Sequence, residues 1–202
     1  MANVLIGCEY SGVVRRAFAE AGHHAVSVDL LPSDDNSPMH YQGDLLEFMN
    51  FYPFGWDLAI FHPPCTRLCN SGVRWLHERN LWEDMREAAH FFEQLLNSPF
   101  INRVAVENPV MHKYAAEICG KPSFTVQPWM FGDNYKKRTC FWTKNLPSLV
   151  PTSVLDGSTA VAEVHKMSPS KDRGLKRSKT YPGLAKAMAE QWGSLLNEDQ
   201  DS

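Results

Sequence analysis

The sequence predicts an α/β fold with a mostly parallel central sheet flanked by helices. Three observations carry this. Short apolar runs recur at residues 4–7, 25–30, 58–61 and 103–109, the length of strands buried on both faces. Amphipathic helical patterns separate them, as crossovers between parallel strands require. Three of these runs end in acids, prolines or a cysteine (Asp29, His62-Pro63-Pro64-Cys65 and Glu107-Asn108-Pro109). In open α/β sheets, ligands bind at the carboxyl ends of the strands.

Residues 4–7 open the chain as a strand. Ser11-Gly12 starts a helical pattern through Val13, Val14, Ala17, Phe18 and Ala21, with Ser11 as the expected N-cap and Gly22 as the stop. The second strand ends at Asp29 and Leu30. Strand, small-residue turn, helix and acid-terminated strand form the opening of a nucleotide-binding unit. There the helix start favours an anionic group and the acid accepts from ribose hydroxyls. The glycine spacing is not that of a dinucleotide site. Residues 31–42, rich in Pro, Ser, Asp and Asn, read as a loop. Asp44 then precedes a short apolar piece starting at Leu45, as a helix cap or a second cofactor contact.

The central run, residues 58–61, must stop at Pro63-Pro64, which lack backbone N–H groups and fix φ. Cys65 therefore stands on a stiff loop beyond a strand end, placed to act as a nucleophile. Its alternative is a small buried hydrophobe. Cys69 lies beyond the proline turn and is expected to matter little. Residues 70–79, with Arg74, Trp75, His77 and Arg79, read as a mobile polar loop over the site. A helix follows over 81–96. The next strand ends at Glu107, at the same sheet edge as Cys65. Residues 111–120 read as a helix, and 124–131 and 139–143 as an adjacent strand pair. The segment between that pair, 132–138, is basic and aromatic and suits a phosphate or a base. Residues 166–179 hold the densest row of Lys and Arg, either a solvated stretch or a phosphate-binding edge. The chain closes on an amphipathic helix over 181–192.

The 202 residues suffice for one domain with a sizeable core, over 1–196 with a polar, disordered tail from Asn197. The net charge of −3 gives no global basic excess, so DNA would need a local basic groove. The five cysteines, none in a CxxC pair, point to a reducing compartment. No signal peptide or membrane-length apolar run is present. The expected location is cytoplasmic.

Taken in order, these motifs resemble the DNA cytosine-C5 methyltransferase family. Tyr10-Ser11-Gly12 resembles its first cofactor motif, Asp29 the acid after the second strand, and Gly43-Asp44-Leu45 the next cofactor motif. Pro63-Pro64-Cys65 resembles the Pro-Cys nucleophile loop, the most diagnostic piece. Glu107-Asn108-Pro109 is similar to the Glu-Asn-Val motif. Residues 132–138 loosely resemble the basic motif, and 178–189 the last motif, which returns to the cofactor pocket. Val14 and Arg15 stand where the family carries glycines, His62 where a glycine precedes the prolines, and Pro109 where valine is usual. Only a short insert, residues 144–176, stands in place of the target-recognition domain. Compact chains of this kind resemble those of phages and prophages, which would put the protein in the host cytoplasm.

The resemblance implies a Rossmann-like S-adenosylmethionine-dependent methyltransferase fold acting on DNA. The target would be a flipped cytosine in duplex, or single-stranded DNA. Cys65 would add to C6 of cytosine, with Glu107 at N3 and the exocyclic amine and Arg138 or Lys137 near O2 or a phosphate. Tyr10, Ser11, Gly12, Asp29, Leu30, Asp44, Leu45, Pro64, Ser178 and Thr180 would line the cofactor. Three alternatives stay open. One is a module binding cofactor or DNA without turnover. Another is an enzyme modifying a different pyrimidine. The third is a metal protein using Cys65, Cys69 and nearby histidines.

Overall fold

The computed structural model describes residues 1–52, 55–162 and 178–198. Five parallel strands come first in the sheet: β1 (Asn3–Gly7), β2 (His24–Asp29), β3 (His40–Gln42), β4 (Leu58–Phe61) and β5 (Arg103–Pro109). Two antiparallel strands, β6 (Phe124–Val126) and β7 (Thr139–Lys144), complete it in the order β3-β2-β1-β4-β5-β7-β6. This is the mostly parallel α/β architecture that the apolar runs predict.

Side chains alternate across each strand, so each strand feeds two cores. Leu5, Ala59, Phe61, Val104 and Val106 face a cluster with Leu45, Phe48, Leu76, Met85, Ala89, Phe92 and Leu95. These come from α2 (Leu45–Phe51), α3 (Val73–Glu78) and α4 (Trp82–Leu96). Val4, Ile6, Leu58, Ile60 and Ala105 face the other way. They meet Val14 and Phe18 of α1 (Val13–Glu20) and Leu184, Met188 and Trp192 of α6 (Pro182–Glu198), the closing helix. A short α5 (Lys113–Cys119) follows β5.

Several local expectations change. Ser11 is not the cap of α1. Gly12 is, in the left-handed region at φ 66°, and no side chain of its own caps the helix. The free amides go to Glu9 instead, whose carboxylate accepts from Val14 N at 2.7 Å and Arg15 N at 3.3 Å. Residues 70–79 are not a loop. A 3-10 turn at Asn70–Gly72 leads into α3, which buries Leu76. The strand expected over 124–131 stops at Val126, because Pro128 has no N–H to donate and opens a 3-10 turn. Residues 31–42 include β3, paired to β2 in parallel. α6 runs two residues into the expected tail. Most of the basic row over 166–179 lies outside the described residues. No helix among the described residues is long and apolar enough to cross a membrane.

Candidate active site

β1, β4 and β5 are neighbours, so their carboxyl ends bring Gly7, Phe61 and Val106 into one row. The residues that follow build the site. His62 stands immediately after β4, its amide on Gly7 O at 2.9 Å. Glu107 extends β5 by one residue past that row, opposite Phe141 of β7.

Beyond Pro64 the chain turns tightly. The Cys65 carbonyl accepts from Leu68 N and Cys69 N, both at 3.0 Å. This turn is held from the β5 side. His112 N donates to Leu68 O at 3.0 Å, Asn70 N donates to Val110 O at 3.1 Å, and the His112 ring Nε2 contacts Arg67 O at 2.8 Å. The nucleophile loop and the segment after Glu107 are thus one tied unit. Cys65 and Glu107 stand in each other's field.

An i to i+4 turn puts Cys65 and Cys69 on one face, and the two thiols share a hydrogen bond. Cys69 also contacts Ser71 Oγ at 3.1 Å. The shared bond, burial and the charges of Cys69 and Glu107 push the Cys65 thiol up, and Lys137 opposes them. The shared bond pulls Cys69 down. The expectation that Cys69 matters little is corrected: the turn beyond the prolines folds it back onto Cys65.

Glu107 is buried, with its side chain 8% exposed, and its Oε2 lies 2.9 Å from His62 Nδ1. Burial pushes its carboxyl up. The charge of Lys137 and the His62 hydrogen bond outweigh burial and hold it below the usual carboxylate range. The cation that acts on Cys65 and Glu107 is thus Lys137. The expected cation, Arg138, is exposed, and its charge reaches Cys140. Strand geometry explains the exchange, since adjacent residues entering β7 face opposite ways. Lys137 Nζ also donates to Lys179 O at 3.1 Å, joining the basic segment to the start of the last motif.

The expected cofactor residues gather beside this row. A cavity of about 10 Å³ is lined by Cys8, Glu9, Tyr10, Ser11, His62, Ser178, Lys179 and Thr180. Lys179 lies over the Tyr10 ring at 5.6 Å and pairs with Asp34, whose amide donates to Tyr10 O at 3.0 Å. Both side chains of this pair are exposed, and Lys179 lines the pocket. Asp29 and Leu30 stand at the end of β2, and Leu30 is 72% exposed, an apolar platform for a ring. Burial pushes the Asp29 carboxyl up against the Leu31 amide that holds it. Burial, then the charges of Asp29 and Asp44, push Cys8 up to about 12. Asp44 is the cap of α2, accepting from Glu47 N at 2.9 Å, and Leu45 is buried behind it. Pro64 is exposed on the loop.

This donor set fits a nucleoside-type cofactor once the Lys179–Asp34 pair opens. It offers a terminal acid, an exposed apolar side chain, a left-handed glycine turn and a buried His62 Nε2 with no partner. Sequence reasoning gave no site role to His62 or Glu9, expected little of Cys69, and named Lys137 only as the alternative to Arg138. His62 and Glu9 had a signal, for they stand beside motif positions. Among the described residues no group of three or more His, Cys, Asp or Glu could hold a metal ion. The metal alternative therefore finds no donor set there.

No protein-family model matches the chain, and no curated protein sequence matches it. Solved structures do. One is a crystal structure from E. coli described as a DNA modification methyltransferase encoded within a prophage. Its TM-score is 0.51 at 16% identity, over 77% of this chain and 52% of that one. The chain thus spans about half the length of that neighbour. Weaker likenesses are the Entamoeba histolytica methyltransferase EhMeth and a Spodoptera frugiperda DNMT2 mutant. The first has a TM-score of 0.49 at 13% identity, covering 77% of this chain and 58% of that one. The second has 0.43 at 12%, covering 85% and 61%. The class that this fold defines is the Rossmann-like α/β methyltransferase fold.

Proposed function

We propose that this chain transfers a methyl group from S-adenosylmethionine to C5 of cytosine in DNA through a covalent Cys65 adduct. The observation that carries it is the pairing of β4 with β5, which puts Cys65 and Glu107 at adjacent strand ends on loops tied through His112. A nucleophile and a buried acid side by side are what addition to a pyrimidine ring needs.

Cys65 gives its proton to Cys69 and bonds to C6 of the ring. Charge moves toward N3, where Glu107, a carboxylate at rest flanked by Lys137, shares a proton that it takes up through its hydrogen bond with His62. Tyr10 to Gly12, Asp29, Leu30, Ser178 and Thr180 would hold S-adenosylmethionine, which would supply an electrophilic methyl group for C5 and be left as S-adenosylhomocysteine. Loss of the C5 proton to a solvent base lets the Cys65–C6 bond break, and the Cys65 thiolate takes back the proton held by Cys69. Extrusion of the base from a duplex costs roughly a few kcal/mol, less in a single strand.

The test is incubation of the chain with methyl-labelled S-adenosylmethionine and duplex DNA, single-stranded DNA or free cytidine nucleotides, followed by nucleoside analysis. Label in 5-methylcytosine from either DNA supports the proposal. Label only from nucleotides moves the substrate to a different pyrimidine species. Cofactor binding with no transfer to any of them leaves a binding module.

A further inference from the structure

His62 connects the two halves of the site. Its ring is 7% exposed, and Nδ1 is committed to Glu107 Oε2 at 2.9 Å. Nε2 is buried and has no partner among the described residues, and His62 lines the cofactor-side cavity. A buried polar atom without a partner costs about 1–3 kcal/mol, so it marks a place where a ligand atom is welcome.

The surroundings say which kind of atom. In nucleotide-binding α/β folds, the amides at the start of the first helix take a ligand's anionic group. Here Glu9 already fills Val14 N and Arg15 N. Lys179, the cation on the pocket wall, is engaged by Asp34. An anionic oxygen entering this pocket must find a donor elsewhere, and Nε2 is a buried ring nitrogen there without one. Its two forms differ. With Nδ1–H given to Glu107, a neutral ring offers only a lone pair at Nε2. A protonated ring offers N–H groups to both sides.

We infer that His62 takes up a proton when the cofactor binds and donates Nε2–H to an oxygen acceptor of the cofactor's amino-acid end, while Nδ1–H holds Glu107. This rests on the proposed S-adenosylmethionine site. The groups facing His62 are Glu107 from β5, Asp29 from the end of β2, Cys8, Glu9 and Tyr10 from the β1–α1 turn, and Lys179 ahead of α6. Lys137 backs Glu107.

The test needs no turnover. The full chain is titrated calorimetrically with S-adenosylhomocysteine, which keeps the amino-acid end, in two buffers of different ionisation enthalpy between about pH 6 and 8. Binding should take up a fraction of a proton, approaching one at the higher pH. Affinity should fall with rising pH by up to about tenfold per unit. His62→Asn should bind with no proton uptake and a flat pH profile. His62→Gln should do the same with partial recovery of affinity. Wild-type binding without proton uptake overturns the inference while leaving the cofactor site intact, as does equal uptake in His62→Asn. No binding by folded wild-type chain overturns the cofactor site and this inference together.

Discussion

The amide of Cys69 donates to the carbonyl of Cys65 at 3.0 Å, closing one turn that lays the two thiols on the same face. Their mutual hydrogen bond, the first cause for each, raises the Cys65 thiol and lowers the Cys69 thiol. Cys65 thus resists titration until Cys69 or the substrate changes its field. Alkylation by iodoacetamide, followed residue by residue by mass spectrometry, should find Cys65 slow at neutral pH and faster as pH rises. Cys69→Ala removes the first cause of that resistance. Cys65 labelling at pH 7 should then increase roughly tenfold, the effect of one pH unit of thiolate titration. An unchanged Cys65 rate in Cys69→Ala would mean that the thiols do not share a proton.

DNA carrying 5-fluorocytosine should trap Cys65 in the presence of S-adenosylmethionine. Fluorine cannot leave C5 as a cation, so elimination stops and the thioether persists. Cys65→Ser should abolish the adduct, seen as a band shift in denaturing gels, because an alcohol is far less nucleophilic than a thiolate. Glu107→Gln should slow it by roughly a hundredfold or more, the scale of general acid–base assistance. An adduct in Cys65→Ser would move the nucleophile to another residue.

Acid should unfold the protein through identifiable carboxylates. Glu107 and Asp35 are both held below the usual range in the fold. Burial pushes each up, and cations and hydrogen bonds outweigh it: Lys137 and His62 for Glu107, Ser33, Arg16 and Arg15 for Asp35. A carboxyl lowered by folding contributes stability that is present above its unfolded pKa of about 4 and lost as pH falls through the folded value. Thermal melts should therefore show Tm falling below about pH 5. Asp35→Asn should flatten part of that slope. It should also cost about 1–2 kcal/mol at pH 7, reduced from a fully buried pair by Asp35's exposure, because the buried Arg15 guanidinium loses its counter-ion. An Asp35→Asn melt that matches wild type at both pH 4 and pH 7, at about these values, would remove Asp35 from the acid response.

DNA binding should depend on cations beside the nucleophile turn. Arg74 and Arg79 stack on the two sides of Trp75, at 4.1 and 4.0 Å from its ring, on the helix after Cys69. Arg74→Glu with Arg79→Glu should weaken binding to any DNA sequence and lower the slope of log K against log salt by roughly one per lost phosphate contact. The same outcome is expected from charge reversal within the basic row over 166–179. Affinity and salt slope left unchanged by both sets would place the DNA on another face.

The sequence by itself determined the four parallel strands β1, β2, β4 and β5. Residues 58–61 and 103–109 are short, apolar on both faces and closed by prolines or acids, and only a buried parallel strand suits that pattern. It also determined that Cys65 and Glu107 meet, since parallel strands share a carboxyl edge. What it could not show is which neighbours those residues acquire. Strand order is a long-range fact, and β1 lying between β2 and β4 is what brings His62 to the wall of the pocket beside Cys8 to Ser11. The start of α1 was misread because Glu9, just before Ser11, takes the Val14 and Arg15 amides and leaves Ser11 Oγ only Val13 N at 3.4 Å. The polar stretch 70–79 hides a helix because its stability comes from burying Leu76 rather than from its own composition. The choice of Lys137 over Arg138, and of Cys69 as partner to Cys65, rests on which way a chain faces after a turn. That is settled by packing between residues far apart in sequence, and local pattern does not contain it.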